Sequence, residues 1–244
     1  MIRVGVLGAG GRMGSETCRA VEGDEELELV ARVGRGDDPE ELVRAGAEVA
    51  VDFTSPGAVK ENVRFVVTAG IHAVVGTTGL SDADLEEVHT WIKGGSANVF
   101  VAPNFAVGAV LMMSFVAQAA RHFDTAEIIE RHHENKKDAP SGTALRTASL
   151  MNEARGEAWG RPPADHETLE GSRGGDVDGL RIHSLRVRGS VAHQEVILGS
   201  AGETLTIRHD SLDRSSFMPG VVLAVKRVGS LDGVVVGLEH LLDL

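Results

Sequence analysis

The chain holds a single cysteine, Cys18, in 244 residues. No intrachain disulfide can form, and usage this sparse suits a reducing compartment. No apolar run approaches the roughly 20 residues a membrane helix needs. The opening stretch Met1-Ile2-Arg3-Val4-Gly5-Val6-Leu7-Gly8 lacks the longer apolar core and small-residue cleavage site of a secretory signal, and reads as a short strand ending in glycine. The expected location is the cytoplasm. Positive charge is in deficit: 24 Lys and Arg stand against 36 Asp and Glu, for a formal charge of -12. That balance argues against a nucleic-acid or anionic-membrane surface, since both draw on clustered cations. There is no internal repeat and no low-complexity tract.

What is present is globular. A hydrophobic fraction of 42% and a charged fraction of 25% are ordinary for a folded chain. A chain of this length can bury about 70% of its unfolded surface, so no disulfide or metal is needed to hold a core. One large domain or two small ones are expected.

The first hundred residues alternate β-branched runs with stretches of helical period. The runs Ile2–Leu7, Leu27–Val33, Val49–Phe53, His72–Val75 and Asn98–Val101 predict strands. Arg12–Val21, Pro39–Ala45, Pro56–Thr68 and Asp82–Ile92 predict helices. Continuous apolar strands separated by helices predict a parallel sheet covered on both faces, a Rossmann-like doubly wound α/β fold. After Pro103-Asn104 the pattern changes. A long helix is expected over Phe105–Phe123, with apolar positions Val107, Val110, Leu111, Phe115 and Ala119. A strand at Ala126–Glu130, a helix at Thr143–Ala154 and a surface loop over Gly156–Gly179 follow. Three successive strands, Leu180–Val187, Val191–Leu198 and Thr204–His209, predict a mixed or antiparallel sheet in a second, α+β domain. A last helix, Phe217–Val228, is expected to pack back on the first domain. The expected division is 1–104 with 215–244 as a dinucleotide-binding domain, and 105–214 as a substrate-binding and oligomerisation domain.

Five loops at predicted strand ends point to a dinucleotide. Gly8-Ala9-Gly10-Gly11-Arg12-Met13-Gly14 joins the first strand to the first helix, where glycines let the backbone approach a pyrophosphate at the helix N-terminus. Met13 stands where a strict G-x-G-x-x-G would place its third glycine. At the second strand end, Ala31-Arg32-Val33-Gly34-Arg35-Gly36-Asp37 offers no acid immediately after the strand. Arg32 and Arg35 suit a ribose 2'-phosphate, which leans toward NADPH with NADH tolerated. Asp52-Phe53-Thr54-Ser55-Pro56, Gly76-Thr77-Thr78-Gly79 and Ala102-Pro103-Asn104-Phe105 complete the edge. Phe53 can flank a nicotinamide, and the Thr78 hydroxyl can reach its carboxamide or ribose.

The densest chemistry lies in Glu127-Ile128-Ile129-Glu130-Arg131-His132-His133-Glu134-Asn135-Lys136-Lys137-Asp138-Ala139-Pro140-Ser141-Gly142-Thr143-Ala144. Lys and His can protonate a substrate and attract carboxylates, while Ser141, Gly142 and Thr143 offer donors to an anion at a helix start. In extended chain His132 and His133 point to opposite faces. Adjacent histidines followed by lysines do not match metal-ligand spacing, so no metal is expected.

This segment closely resembles the signature of the 4-hydroxy-tetrahydrodipicolinate reductase family, the dihydrodipicolinate reductases of lysine and diaminopimelate biosynthesis. The resemblance extends over nearly the whole chain, through the glycine loop, Asp52-Phe53-Thr54, Gly76-Thr77-Thr78-Gly79, Ala102-Pro103-Asn104-Phe105, Gly202-Glu203, His209 and Arg214. It implies NAD(P)H-dependent reduction of a cyclic, imine-containing dicarboxylic acid, with water lost. It implies His132 as acid/base, Lys136 as proton donor, and His133, Gly142 and Thr143, with Ser141 beside them, on the carboxylates. The cofactor would lie on Gly8, Ala9, Gly10, Gly11, Arg12 and Met13, on Gly76, Thr77 and Thr78, and on Ala102, Pro103, Asn104 and Phe105. Gly34, followed by Arg35, stands where the family usually has an acid, and a homotetramer is implied.

In a net acidic chain a dianionic substrate needs local positive charge, and Lys136, Lys137 and the histidines are the dense cluster the sequence offers. The neighbouring lysine raises the cost of protonating a histidine, and a bound dianion lowers it. Two alternatives stand beside this reading. An NADP-dependent semialdehyde dehydrogenase would need Cys18 as a thiolate. A nucleotide-sensing protein without turnover would leave the His-Lys loop without a purpose.

Overall fold

Valine dominates the first strands, and its branched side chain suits a pleated surface buried on both sides. In the computed structural model, which describes residues 1–160, 167–242 and 244, these runs form a six-stranded parallel sheet in the order β11-β5-β4-β3-β1-β2. Its strands are β1 (Ile2–Leu7), β2 (Leu27–Val33), β3 (Val49–Asp52), β4 (His72–Val75), β5 (Val99–Val101) and β11 (Val234–Val236). Val4, Val6, Val51, Val74, Val99 and Phe100 are wholly buried. Helices α1 (Arg12–Glu22), α2 (Glu40–Arg44), α3 (Val59–Thr68), α4 (Asp82–Ile92) and α7 (Met218–Arg227) belong to the same unit, Met1–Val107 with Arg214–Leu244. There α7 packs on α1.

Local chemistry sets the helix starts. Ser81 and Asp84 close a capping box at α4. Helix α3 begins at Val59, three residues beyond the expected Pro56, because Ser55 to Ala58 close a turn in which the Ala58 and Val59 N–H groups donate to the Ser55 carbonyl at 3.0 and 3.1 Å. Strand β11 was not expected. Three valines carry too little pattern to stand out, and the strand exists because Asn98 takes the Gly233 N–H (3.2 Å) and seats it on the edge of β5.

The chain leaves β1 for β2 on one side, then returns to β3 on the other. That reversal opens a crevice at the carboxyl ends of β1 and β3, where doubly wound sheets bind ligands.

The second unit, Gly108–Asp213, holds a five-stranded mixed sheet in the order β10-β9-β6-β8-β7. It comprises β6 (Thr125–His132), β7 (Gly175–Val177), β8 (Leu180–Arg186), β9 (Ala192–Ser200) and β10 (Glu203–Ser211). Strand β6 runs parallel to β8 and antiparallel to β9. Its alternation is strict: Ala126, Ile128 and Glu130 are buried, and Thr125, Glu127, Ile129 and Arg131 are half-buried. The buried face meets α6 (Gly142–Arg155), where Gln194 of β9 donates to the Thr147 hydroxyl at 2.7 Å.

Three expectations are corrected here. Strand β6 runs two residues past Glu130, because Arg131 and His132 find partners on both neighbouring strands. Part of the expected loop over Gly156–Gly179 is β7, hydrogen-bonded antiparallel to β8; its residues 161–166 lie outside the described residues. Helix α5 (Val107–Ala120) turns inward a face that only partly matches the one the pattern marks: Val110 is buried as expected, along with Ala109, Met112, Met113, Val116 and Ala120, while Val107, Leu111 and Ala119 are half-buried and Phe115 is exposed. The helix is apolar on almost every side, so period alone does not choose its inner face.

Candidate functional site

In the first unit the crevice is built mainly from backbone. A cleft of about 580 Å³ is lined by Gly8, Gly10, Gly11, Gly34, Arg35, Phe53 and Thr54, together with Asp37 and Asn62. Gly8 adopts φ +79, and a Cβ there would sit 2.3 Å from the Phe53 carbonyl, so only glycine serves. Its N–H and that of Ala9 are both taken by the Val33 carbonyl. Gly10 faces open space.

Helix α1 opens with Gly11 as its N-cap, without a side-chain cap and without an acid in its first turn. Arg12 is exposed and Met13 half-buried. Orphan N–H groups and the positive end of the helix dipole therefore face outward beside glycines, which fits a pyrophosphate.

Asp52, at the end of β3, joins the neighbouring loops. Its carboxylate accepts from the Thr54 N–H (3.0 Å), the Thr54 hydroxyl (2.8 Å), the Thr77 hydroxyl (2.5 Å) and the Asn62 amide (2.7 Å). Gly76 lies against the Phe53 ring, which a Cβ would meet at 2.1 Å. Phe53 meets buried Phe105 edge-on at 5.9 Å. Ala102 is buried, its N–H donating to the Val75 carbonyl, and Asn104 accepts the Ala106 N–H at 2.9 Å. Gly76, Thr77 and Thr78 follow β4, and Ala102, Pro103, Asn104 and Phe105 follow β5. All seven stand at the same sheet edge as the glycine loop but outside the wall of the cleft.

At the β2 end, Arg35 lines the cleft, whereas Arg32 pairs with Glu22 on α1. Asp37 turns back to accept the Gly34 N–H at 2.7 Å. An acid is thus present at this corner, three residues later than the usual strand-end position. The Gly34-Arg35-Gly36-Asp37 turn was its only signal in the sequence.

In the second unit the candidate residues are side chains on charged supports. His132 is the last residue of β6 and 15% exposed at its side chain, and Glu130, two positions earlier on the same face, is fully buried. His132 Nδ1 and Glu130 Oε2 stand 2.5 Å apart. Arg186 of β8 grips the same carboxylate with both terminal nitrogens, at 3.0 and 2.9 Å. The Ser141 N–H adds a bond of 3.2 Å. Burial alone would raise the Glu130 pKa, but hydrogen bonds from His132, Arg186 and Ser184 overcome it and hold the carboxyl at about 2. An ionised carboxylate can only accept. Nδ1 therefore carries a hydrogen toward the carboxylate, and Nε2 is the ring nitrogen left outside this pair.

His133 lies just past the strand and accepts the Lys136 N–H on its carbonyl. The Lys136 ammonium is held by both Asp138 oxygens at 2.8 Å, and this contact lowers the Asp138 pKa. Ser141 is buried; its hydroxyl caps α6 by accepting the Ala144 N–H at 3.2 Å. Gly142 is exposed, with open space on its Cβ side, and Thr143 is half-buried.

The expected cationic cluster is therefore more balanced than composition suggests, with Asp138 on Lys136 and Glu130 beside His132. It also contains a cation the sequence reading did not single out, Arg186. Its signal lay in strand register, which pairs His132 with Arg186 and Glu130 with Ser184. Cys18 is buried in α1, and burial pushes its thiol pKa up, which leaves a thiolate mechanism without a nucleophile.

Comparison with known proteins agrees with this construction. Residues 2–105 match the family description "Dihydrodipicolinate reductase, N-terminus", and residues 108–242 match "Dihydrodipicolinate reductase, C-terminus". The chain is 56% identical to the 4-hydroxy-tetrahydrodipicolinate reductase of Streptomyces griseus subsp. griseus, covering 100% of this chain and 98% of that protein. It is 57% identical to the enzyme of the same name from Nocardia farcinica, covering 100% and 99%. Among solved structures, the dipicolinate-bound dihydrodipicolinate reductase from Paenisporosarcina sp. TG-14 superposes with a TM-score of 0.87 at 38% identity, covering 98% of this chain and 99% of that one. Fold, sequence and the length of the match converge, and this chain belongs to the dihydrodipicolinate reductase family.

Proposed function

We infer that this protein is a 4-hydroxy-tetrahydrodipicolinate reductase, an NAD(P)H-dependent oxidoreductase of lysine and diaminopimelate biosynthesis. The observation that carries the reading is end-to-end likeness to curated reductases of that name, at 56% identity, in a chain whose His-Lys loop holds an ordered imidazole–carboxylate pair. In the net reaction a hydroxyl leaves the ring as water, and a hydride and a proton enter. When bound, NADPH or NADH supplies the hydride.

The chain supplies position and protons. His132 gives and takes a proton at Nε2, and Lys136 donates the proton to the substrate after its ammonium leaves Asp138. Gly142 and Thr143, at the start of α6, receive a substrate carboxylate with His133. Ser141 acts through the helix cap, since its hydroxyl and N–H are both engaged inside the protein. A small dicarboxylate fits this donor set, and the Paenisporosarcina relative holds dipicolinate, a molecule of that class. Residues 105–214 form the substrate-binding and oligomerisation domain of this reading, and 1–104 with 215–244 the dinucleotide-binding domain.

The cofactor lies on Gly8 to Met13, Gly34, Arg35, Phe53, Thr54, Gly76 to Thr78 and Ala102 to Phe105. Arg35 favours the 2'-phosphate of NADPH, and Asp37 at the same corner leaves NADH usable. A homotetramer in the cytoplasm belongs to the same reading. The single buried cysteine suits that compartment, and the half-buried Ile129 and Ile197 lie on the sheet face turned away from α6, available for subunit contact. Among the described residues no helix is long and apolar enough to cross a membrane.

The test is a coupled assay. Pyruvate and aspartate semialdehyde are condensed by the preceding synthase, and absorbance at the nicotinamide band is followed on adding this protein. Oxidation of NADPH that depends on both precursors is expected. Cofactor binding without turnover would return the protein to the nucleotide-sensing class.

A further inference from the structure

The mechanism above uses His132 but leaves unexplained why a wholly buried carboxylate stands behind it. Removing a carboxylate from water costs several kcal/mol unless its lone pairs are filled. Here they are filled from four directions: by His132 on β6, by Arg186 and Ser184 on β8, and by the Ser141 N–H at the start of α6. On the other side Gln194 of β9 lies opposite Glu130 in register. Arg186 also donates to the Asp138 carbonyl, so the same guanidinium ties down the loop that carries Lys136. Arg131, the residue between Glu130 and His132, belongs to the opposite face of β6.

We propose that Glu130, clamped by Arg186, is the positioning residue of His132: it binds Nδ1–H, fixes the imidazole as the tautomer whose Nε2 is the exchanging nitrogen, and holds the ring at the strand end. The proposal rests on the reading of His132 as the acid/base. A buried, fixed acceptor behind an imidazole removes ring rotation and tautomer exchange from the proton-transfer step, and it stabilises the imidazolium once formed. A carboxylate that served only to anchor the loop would need Arg186 and Ser141, but not the 2.5 Å contact with the ring.

The test begins on the unaltered protein, with ¹⁵N-labelled histidine and His132→Gln to assign the signal. Neutral His132 is expected as the Nδ1–H tautomer; an Nε2–H tautomer would overturn the proposal at once. In Glu130→Gln the neutral ring is expected to shift toward the Nε2–H tautomer common in water. The kcat should fall about 10- to 100-fold, with KM for the dicarboxylate and Kd for NADPH changed less than about threefold. Because Glu130→Gln leaves Arg186 buried without its counter-charge, Glu130→Gln/Arg186→Gln is made in parallel to remove the pair together, and the same changes are expected. A folded variant whose tautomer matches that of the unaltered protein would overturn the proposal, whatever its activity. Absence of turnover in the unaltered protein would count against the reductase reading instead, while the tautomer measurement would still decide the role of Glu130.

Discussion

Helix α1 of the first unit and helix α6 of the second start in opposite ways. In the first, α1 begins at Gly11 with no side-chain cap and no acid in its first turn; the orphan N–H groups are left for something that is not protein. In the second, α6 begins at Ser141, whose hydroxyl caps the helix and whose N–H is taken by buried Glu130. One region leaves its helix start as bare backbone, and the other engages Ser141 at its helix start within the protein and sets His132 and Lys136 on carboxylate partners. In the proposed function, binding and chemistry thus rest on different materials: glycine conformation in one, fixed charge in the other.

The sharpest break between the two is expected from His132→Ala. The kcat should fall about 10²- to 10⁴-fold, while NADPH affinity by fluorescence titration stays within about twofold; lost cofactor binding would place His132 elsewhere. The reverse experiment is Gly8→Ala. Positive φ and a Cβ 2.3 Å from the Phe53 carbonyl should cost about 2–4 kcal/mol of stability, read as a lower denaturant midpoint, together with weakened NADPH binding. An unshifted midpoint would mean the glycine loop is not under the constraint described. Gly142→Ala separates fold from ligand within the second unit. The added methyl meets open space, so thermal stability should hold, while KM for the dicarboxylate rises about tenfold if that space belongs to substrate. Equal KM values would remove Gly142 from the carboxylate site.

A smaller effect is expected from Arg35→Ala, which should lower the NADPH-to-NADH ratio of kcat/KM about three- to fivefold, the scale of an exposed charge contact. An unchanged ratio would leave cofactor choice to Asp37 and the backbone. The smallest signal is in acid. Glu130 has a folded pKa of about 2 against an ordinary 4.5. Its ionised form therefore stabilises the second unit fully above pH 4.5, and that contribution is lost as pH falls toward about 2. The shifted carboxylates of the first unit, Asp24, Asp38, Glu48 and Asp84, are none of them buried and are better screened. Trp91 lies in the first unit and Trp159 in the second. In single-tryptophan variants, the denaturant midpoint reported by Trp159 should drop more steeply over this window than that reported by Trp91; parallel curves would mean that Glu130 has no special weight.

Much of this molecule was legible before any coordinates. Valine runs between amphipathic stretches defined the parallel sheet, and the long His-Lys to Ser-Gly-Thr segment carried the family resemblance. What was missed has identifiable causes. The three residues of β11 and of β7 have too little pattern to mark a strand, and each is held by pairing with a neighbour remote or adjacent in sequence. Helix α5 hid its inner face because nearly every side is apolar. Asp37 was passed over because its role comes from a turn that brings its carboxylate back to Gly34.

The order of residues alone decided where glycine must stand, where strands alternate and which loop carries titratable groups, because these follow from local sterics and from periods of two and 3.6 residues. Tertiary structure decided which charges meet. Glu130 and Arg186 lie 56 positions apart, and only the parallel register of β6 on β8 puts them on one face beneath His132. A carboxylate becomes a buried, ionised acceptor only when the donors that surround it arrive from separate elements, and that convergence is a property of the folded chain.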